Sequence, residues 1–194
     1  INAFNQPNVQ QSKDNTDRLL ENMQKDGSLP EEEPVIEESP LSYYGDENPS
    51  DSNEFLKDFL DKANTGDYIA LQAYITESRE SDQLLQDLRL LLRNGARLAT
   101  TVGYGPRFLH STGQYHKGGP NTGLYIQLVC NNKKDAEIPG RKYSFGVLRK
   151  AQALGDLQAL RDKGRRIIRI NLGDDAVDGL KALKKRLAKP VSAL

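Results

Sequence analysis

Two short runs rich in β-branched and aromatic residues, "LYIQLVC" (124–130) and "RRIIRINLG" (165–173), stand on either side of "SFGVLRKAQALGDLQALRDKG" (144–164), which has the spacing of one helix or a broken pair of helices. Neighbouring parallel strands need a crossover of a dozen or more residues, usually a helix, and this order supplies one. The pattern extends in both directions. "SDQLLQDLRLLLRNG" (81–95) predicts a helix capped by Ser81 or Asp82 and stopped at Gly95, and "ARLATTVG" (96–103) predicts a short strand. "DAVDGLKALKKRLAK" (175–189) predicts a final amphipathic helix. Helices alternating with strands from Ser81 onward predict an α/β, three-layer, Rossmann-like sandwich whose mostly parallel sheet is covered by helices.

The first part of the chain is read differently. "VQQSKDNTDRLLENMQK" (9–25) predicts a helix, and "INAFNQP" before it reads as the end of a strand, so the chain looks like a piece of a longer polypeptide. Residues 26–53 hold four prolines, many acids and no Lys or Arg, which predicts an acidic linker or surface excursion. "SNEFLKDFLDKA" opens a helix capped by Ser52 or Asn53, and "TGDYIALQAYIT" (65–76) predicts a second, entered through Gly66-Asp67. The expected division is therefore 1–25, 26–53 and 54–194.

Charge is neutral in sum but divided along the chain. Residues 1–88 carry 6 Lys/Arg against 20 Asp/Glu, and residues 89–194 carry 21 against 7, so the halves should attract each other. The basic half is either a solvated surface or a site for an anion, phosphate or nucleic acid. It lacks interleaved aromatics and any nucleic-acid motif, which argues against the last. The single Cys130 excludes a disulfide framework and a Cys-cluster zinc site, and is expected as a buried structural thiol. No 18-residue apolar run and no signal-peptide pattern is present, so a soluble, cytoplasmic location is expected.

Polar chemistry gathers in "GYGPRFLHSTGQYHKGGPNTG" (103–123), which holds both histidines and six of the sixteen glycines. It follows a predicted strand, and ligands of open α/β sheets bind outside the carboxyl ends of strands. The stretch is either a long ordered turn or an anion cradle built from backbone N–H groups with the Ser111 and Thr112 hydroxyls. It matches neither the P-loop nor the dinucleotide fingerprint, and His110 and His116 without a nearby Cys argue against a metal site. In "NAFNQPNVQQSK", Lys13 is either a surface lysine or one aimed into the strand-end crevice.

These stretches resemble a known family. "LHSTGQ" followed by "LYIQLV", and "YSFGVLRKAQALGDL", are similar to the second sugar-isomerase (SIS) domain of bacterial glucose-6-phosphate isomerases. "NAFNQPNVQQSK" resembles the strand-to-helix segment carrying that family's active-site lysine. The longer run "GYGPRFLHSTGQYHKGGPNTGLYIQL…IPGRKYSFGVLRKAQALGDLQAL…GRRIIRINLG" resembles the C-terminal end of bifunctional transaldolase/glucose-6-phosphate isomerase fusions. Together the matching stretches cover residues 1–13 and roughly 65–180, while 26–53 has no counterpart.

The resemblance implies interconversion of glucose 6-phosphate and fructose 6-phosphate: ring opening, then proton transfer between C1 and C2 through a cis-enediol. Carried over by motif, His110 assists ring opening, Lys13 acts near the ring oxygen, and Glu77 in "YITESRES" is the candidate base, with Glu80 second. Ser111, Thr112 and Gln114 would contact sugar or phosphate, and Arg107 and Lys117 would supply cations. Lys181 is a positional alternative to Lys13, and His116 lies outside the shared motif. The resemblance implies no metal or organic cofactor. The expected partners are a sugar phosphate, upstream isomerase and transaldolase domains of the same chain and a second copy of the chain, with no nucleic acid and no membrane. The isolated chain is expected to be inactive or nearly so. The competing reading is a non-catalytic sugar-phosphate-binding, regulatory or interaction domain.

Overall fold

The computed structural model describes residues 6–46, 48–131 and 134–194. Among these, strands β1 (Ile36–Glu38), β2 (Leu41–Tyr44), β3 (Tyr68–Tyr74), β4 (Ala99–Tyr104), β5 (Gly123–Val129) and β6 (Arg166–Asn171) form one sheet in the order β1-β2-β6-β5-β3-β4. β6, β5, β3 and β4 are parallel, and the β1–β2 hairpin joins β6 antiparallel. Helices α1 (Pro7–Asp26), α2 (Ser52–Leu60), α3 (Arg79–Ala96), α4 (Ser111–Gly118), α5 (Phe145–Asp162) and α6 (Ala176–Ser192) cover it. The α/β, three-layer, Rossmann-like architecture expected from the alternation is the one observed.

Strand alternation sorts the two faces by chemistry. Ile69, Leu71, Leu124, Ile126, Leu128, Ile168 and Ile170 point to one side, where Phe55 and Leu56 of α2, Leu88 of α3 and Leu183 of α6 complete the main apolar core. The opposite side, under α1, α4 and α5, receives Gln72, Tyr74, Tyr125, Gln127 and Arg169, all buried. Gln72, Gln127, Arg169 and Tyr44 stand in register across four strands as one polar row. α1 and α5 approach closely because Gly155 has no side chain; a Cβ there would meet Thr16 Oγ1 at 2.6 Å and the Ser12 carbonyl at 2.9 Å.

Several expectations are corrected. Residues 65–76 hold strand β3, not a helix. β3 is buried on both faces, so its apolar run carries no period of two that would distinguish it from a helix. Asp67 caps nothing: it accepts the Asn64 backbone N–H at 2.8 Å and pairs with Arg166 at 2.7 Å. Within 26–53 the hairpin β1–β2 extends the sheet, and Tyr43, fully buried, packs edge-on against Phe55 with ring centroids 5.5 Å apart. α3 is capped by Ser78, with Ser81 returning the bond in a capping box, and ends past Gly95 at Arg97 in the left-handed region. Of the two readings of residues 144–164, the single helix is the one observed, over Phe145–Asp162. The glycine-rich stretch contains a 3-10 turn (Arg107–Leu109) and all of α4. Cys130 is only partly buried, its thiol donating to the Gly173 carbonyl at 3.1 Å. The strand end expected before Gln6 lies outside the described residues.

The divided charge is used in folding. Acids of the first half meet bases of the second in Glu31–Lys150 (3.1 Å), Glu32–Arg161 (2.8 Å), Glu38–Arg186 (2.8 Å), Asp87–Lys184 (2.7 Å) and Asp67–Arg166. Most are exposed and weak singly; Asp67–Arg166 is largely buried, and Arg166 holds the Asp67 carboxyl below its usual range. Among the described residues no helix is long and apolar enough to cross a membrane.

Candidate functional site

The chain runs β3–α3–β4 toward one edge of the sheet, then returns through α4 on the opposite face to β5 on the other side of β3. The connections thus diverge between β3 and β5, the kind of position where open α/β sheets form a crevice. Glu77 follows β3, and Arg107 and His110 follow β4, all at carboxyl ends. Glu77 and Arg107 face each other at 4.0 Å, both exposed. His110 is exposed and occupies the position before α4, its carbonyl accepting the Gln114 N–H at 3.1 Å. Ser111 and Thr112 are exposed in the first turn of α4.

Gln114 has a structural task. α1 starts at Pro7 without a side-chain cap from Gln6. The free Asn8 N–H is taken instead by Gln114 Oε1 at 3.1 Å, which also lies 3.3 Å from the Val9 nitrogen, whose N–H is shared with the Gln6 carbonyl at 3.1 Å, while Gln6 Nε2 donates to Ser111 Oγ at 3.3 Å. α4 therefore caps α1 from more than 100 residues away. Gln114→Ala should cost about 1 kcal/mol, the usual value of a cap, read by urea unfolding; an unchanged midpoint would remove this role.

Lys13 projects from α1 into an open depression lined with Gln10, Asp14, Gln158 and Asp162. Neither His110 nor Glu77 lines it, so the three candidate catalytic groups are not gathered into one cavity. Glu80 is engaged by Lys181 across α3 and α6 at 3.0 Å, which occupies both the second candidate base and the alternative lysine.

Lys117 is turned inward. Its side chain is fully buried, ion-paired with the equally buried Asp156 of α5, and Nζ also donates to the Phe108 carbonyl at 3.1 Å. Ser12 Oγ lies 3.5 Å from Asp156 Oδ1. Burial pushes the Asp156 carboxyl up more than the Lys117 ammonium pulls it down. His116, 3% exposed, stacks on Phe108, and its Nδ1 lies 3.2 Å from Gln72 Nε2, which suits a neutral ring accepting the amide N–H. Burial, helped by the Lys117 charge, depresses its pKa from 6.5 to about 4. Tyr125 donates to the His116 carbonyl at 3.1 Å and meets Tyr68 OH at 2.7 Å. Of the two histidines, His116 thus belongs to the interior and His110 to the surface.

The inward polar groups Gln72, Gln127, Tyr74, Asp156 and Arg169 were not singled out from sequence. For Arg169 a signal existed: it sits between Ile168 and Ile170 in a strand, so alternation must turn it away from the apolar core. Asp156 carries no such mark, because its helix is apolar or small on several sides. Among the described residues no group of three or more His, Cys, Asp or Glu side chains is placed to hold a metal ion.

No protein-family model and no curated protein matches the chain. Among solved structures it is similar to a hypothetical protein from Thermus thermophilus, with a TM-score of 0.55 and 18% identity. The match covers 64% of this chain and 34% of that one, so this chain spans about a third of its length. The similarity concerns the fold alone.

Proposed function

We propose that the chain is the C-terminal part of a cytoplasmic phosphosugar isomerase that interconverts glucose 6-phosphate and fructose 6-phosphate, within a polypeptide that also carries a transaldolase domain. One observation carries the reading beyond the resemblance of the segments. The lysine-bearing helix and the histidine motif, about 100 residues apart, interlock through Gln114 with Asn8 and Val9, and Gln6 with Ser111. In this reading His110, exposed at the start of α4, is the group offered to a sugar held by upstream domains. Glu77 faces Arg107 at the same edge of the sheet. Ser111 and Thr112 line the approach, while Lys117 and Gln114 hold the scaffold.

His110→Ala in the full-length polypeptide should lower isomerase kcat on the order of 100-fold, the lower end for removing a general acid–base group, and leave transaldolase turnover unchanged. Equal isomerase rates in the two proteins would sink the catalytic role. A second reading, a non-catalytic sugar-phosphate-binding or regulatory domain, is favoured by the separation of Lys13 from His110. In that case the variant alters the response of the neighbouring domains to sugar phosphate and not their turnover.

A further inference from the structure

A second locus lies at the carboxyl ends of β3, β5 and β6, apart from His110 and Lys13. It is a cavity of about 290 Å³ lined by, among others, Tyr44, Tyr74, Asn131, Arg149, Lys150 and Arg169. This is near the lower end for small-molecule sites, about 300–1,000 Å³, and suits a small metabolite better than a nucleotide.

Arg169 is the unusual member. It is 8% exposed, yet among the described residues no carboxylate lies within ion-pair distance of its guanidinium. Its Nε has no hydrogen-bond partner. The Tyr44 ring lies under the guanidinium with 5.5 Å to the centroid, a contact that offsets only part of the cost of burying a cation. The two acids at the rim are committed elsewhere, Glu31 to Lys150 and Glu32 to Arg161. Tyr74 lines the same cavity, while burial, together with the buried Asp156 carboxylate beside its hydroxyl, raises its pKa. Arg149 stands at the mouth, its Nη1 3.5 Å from Thr76 Oγ1. The cavity therefore has a cationic floor with unused hydrogen-bonding capacity at Arg169 Nε and a second cation at its opening. A guanidinium presents paired N–H donors that match a phosphate or carboxylate, and among the described residues none supplies such an acceptor to Arg169.

We propose that this cavity binds the phosphate group of a small phosphomonoester, with Arg169 at its base and Arg149 at its mouth. The proposal does not depend on the isomerase reading, since none of the groups that reading uses lines the cavity.

The test is titration of the 194-residue chain with inorganic phosphate and with glucose 6-phosphate, against glucose and against sodium chloride at matched ionic strength. Binding is followed by the Arg169 Nε–H signal in nitrogen-15 NMR and by the melting temperature. Wild type should give a saturable response with Kd at or below about 1 mM for the phosphate-bearing ligands and none for glucose. Arg169→Leu should weaken binding at least about tenfold, and Arg169→Lys should keep part of it, because an ammonium retains charge but not the paired donors. If Arg169→Leu does not fold, Arg149→Ser at the mouth gives the same loss in a folded protein. A response that only tracks ionic strength, no saturation up to about 10 mM, or folded variants that bind as wild type does, each overturns the proposal.

Discussion

Lys117→Met should lose about 3–5 kcal/mol of stability, the range expected when one partner of a buried ion pair is removed. The cause is what remains rather than what is lost. Asp156 stays fully buried on the inward side of α5, and without the ammonium its carboxyl must either take up a proton or hold an uncompensated charge. The Phe108 carbonyl also loses a donor at the turn that leads into α4. A double variant, Lys117→Met with Asp156→Leu, removes both charges and should recover most of the loss, because a well-packed apolar replacement of a buried pair is often neutral. Urea unfolding of the three proteins decides it. A single variant within about 1 kcal/mol of wild type would mean that the pair is open to water and contributes as a surface pair does.

Stability should also fall as pH drops below neutral, with His116 as the source. The unfolded histidine titrates at its ordinary 6.5, while the folded one is depressed to about 4. Between these values the unfolded state binds a proton that the folded state refuses. The contribution is therefore fully present above about pH 6.5 and declines by about 1.4 kcal/mol per pH unit, about 3 kcal/mol in all, levelling off below about pH 4. Asp156, whose carboxyl is raised by burial, contributes with the opposite slope, so the quantity to read is the difference between wild type and His116→Gln. Unfolding free energies from about pH 7 to pH 4.5 should converge for the two proteins as pH falls. Parallel curves would show that the ring is solvated in the folded state.

How much of this was legible in the sequence depended on whether an element met water. α2, α3, α5 and α6 announce themselves because one face is polar or a cap is present. β5 and β6 do so through their β-branched and aromatic residues. β3 was mistaken for a helix for the opposite reason: both its faces are covered, so neither periodicity survives. The hairpin β1–β2 was hidden by its acids, and only the fold reveals that Glu38 accepts from Ser52 and pairs with Arg186. Motif resemblance proposes His110 and Lys13 as partners in one site, but the resemblance carries no geometry, and the fold gives them no shared cavity. The resemblance also gave Lys117 and Gln114 outward roles, whereas one is sealed inside and the other caps a distant helix. Side chains that face a neighbouring element rather than solvent look the same in a sequence, and Arg169 was missed for that reason although alternation pointed to it.

The strand order sets the timetable of folding. β2, complete by Tyr44, has only the hairpin partner β1 and the much later β6 beside it, and that contact forms at Arg166–Asn171. β3 likewise waits for β4 and β5. During synthesis more than 100 residues therefore emerge before the early hairpin can dock, and ordering it closes a long loop. Until then Leu41 and Tyr43 lack the β6 neighbour that helps to bury them, and a strand flanked by acids is a poorer template for pairing with another chain. The negative charge that makes this strand read as a linker is of the kind that blunts an unpaired strand edge.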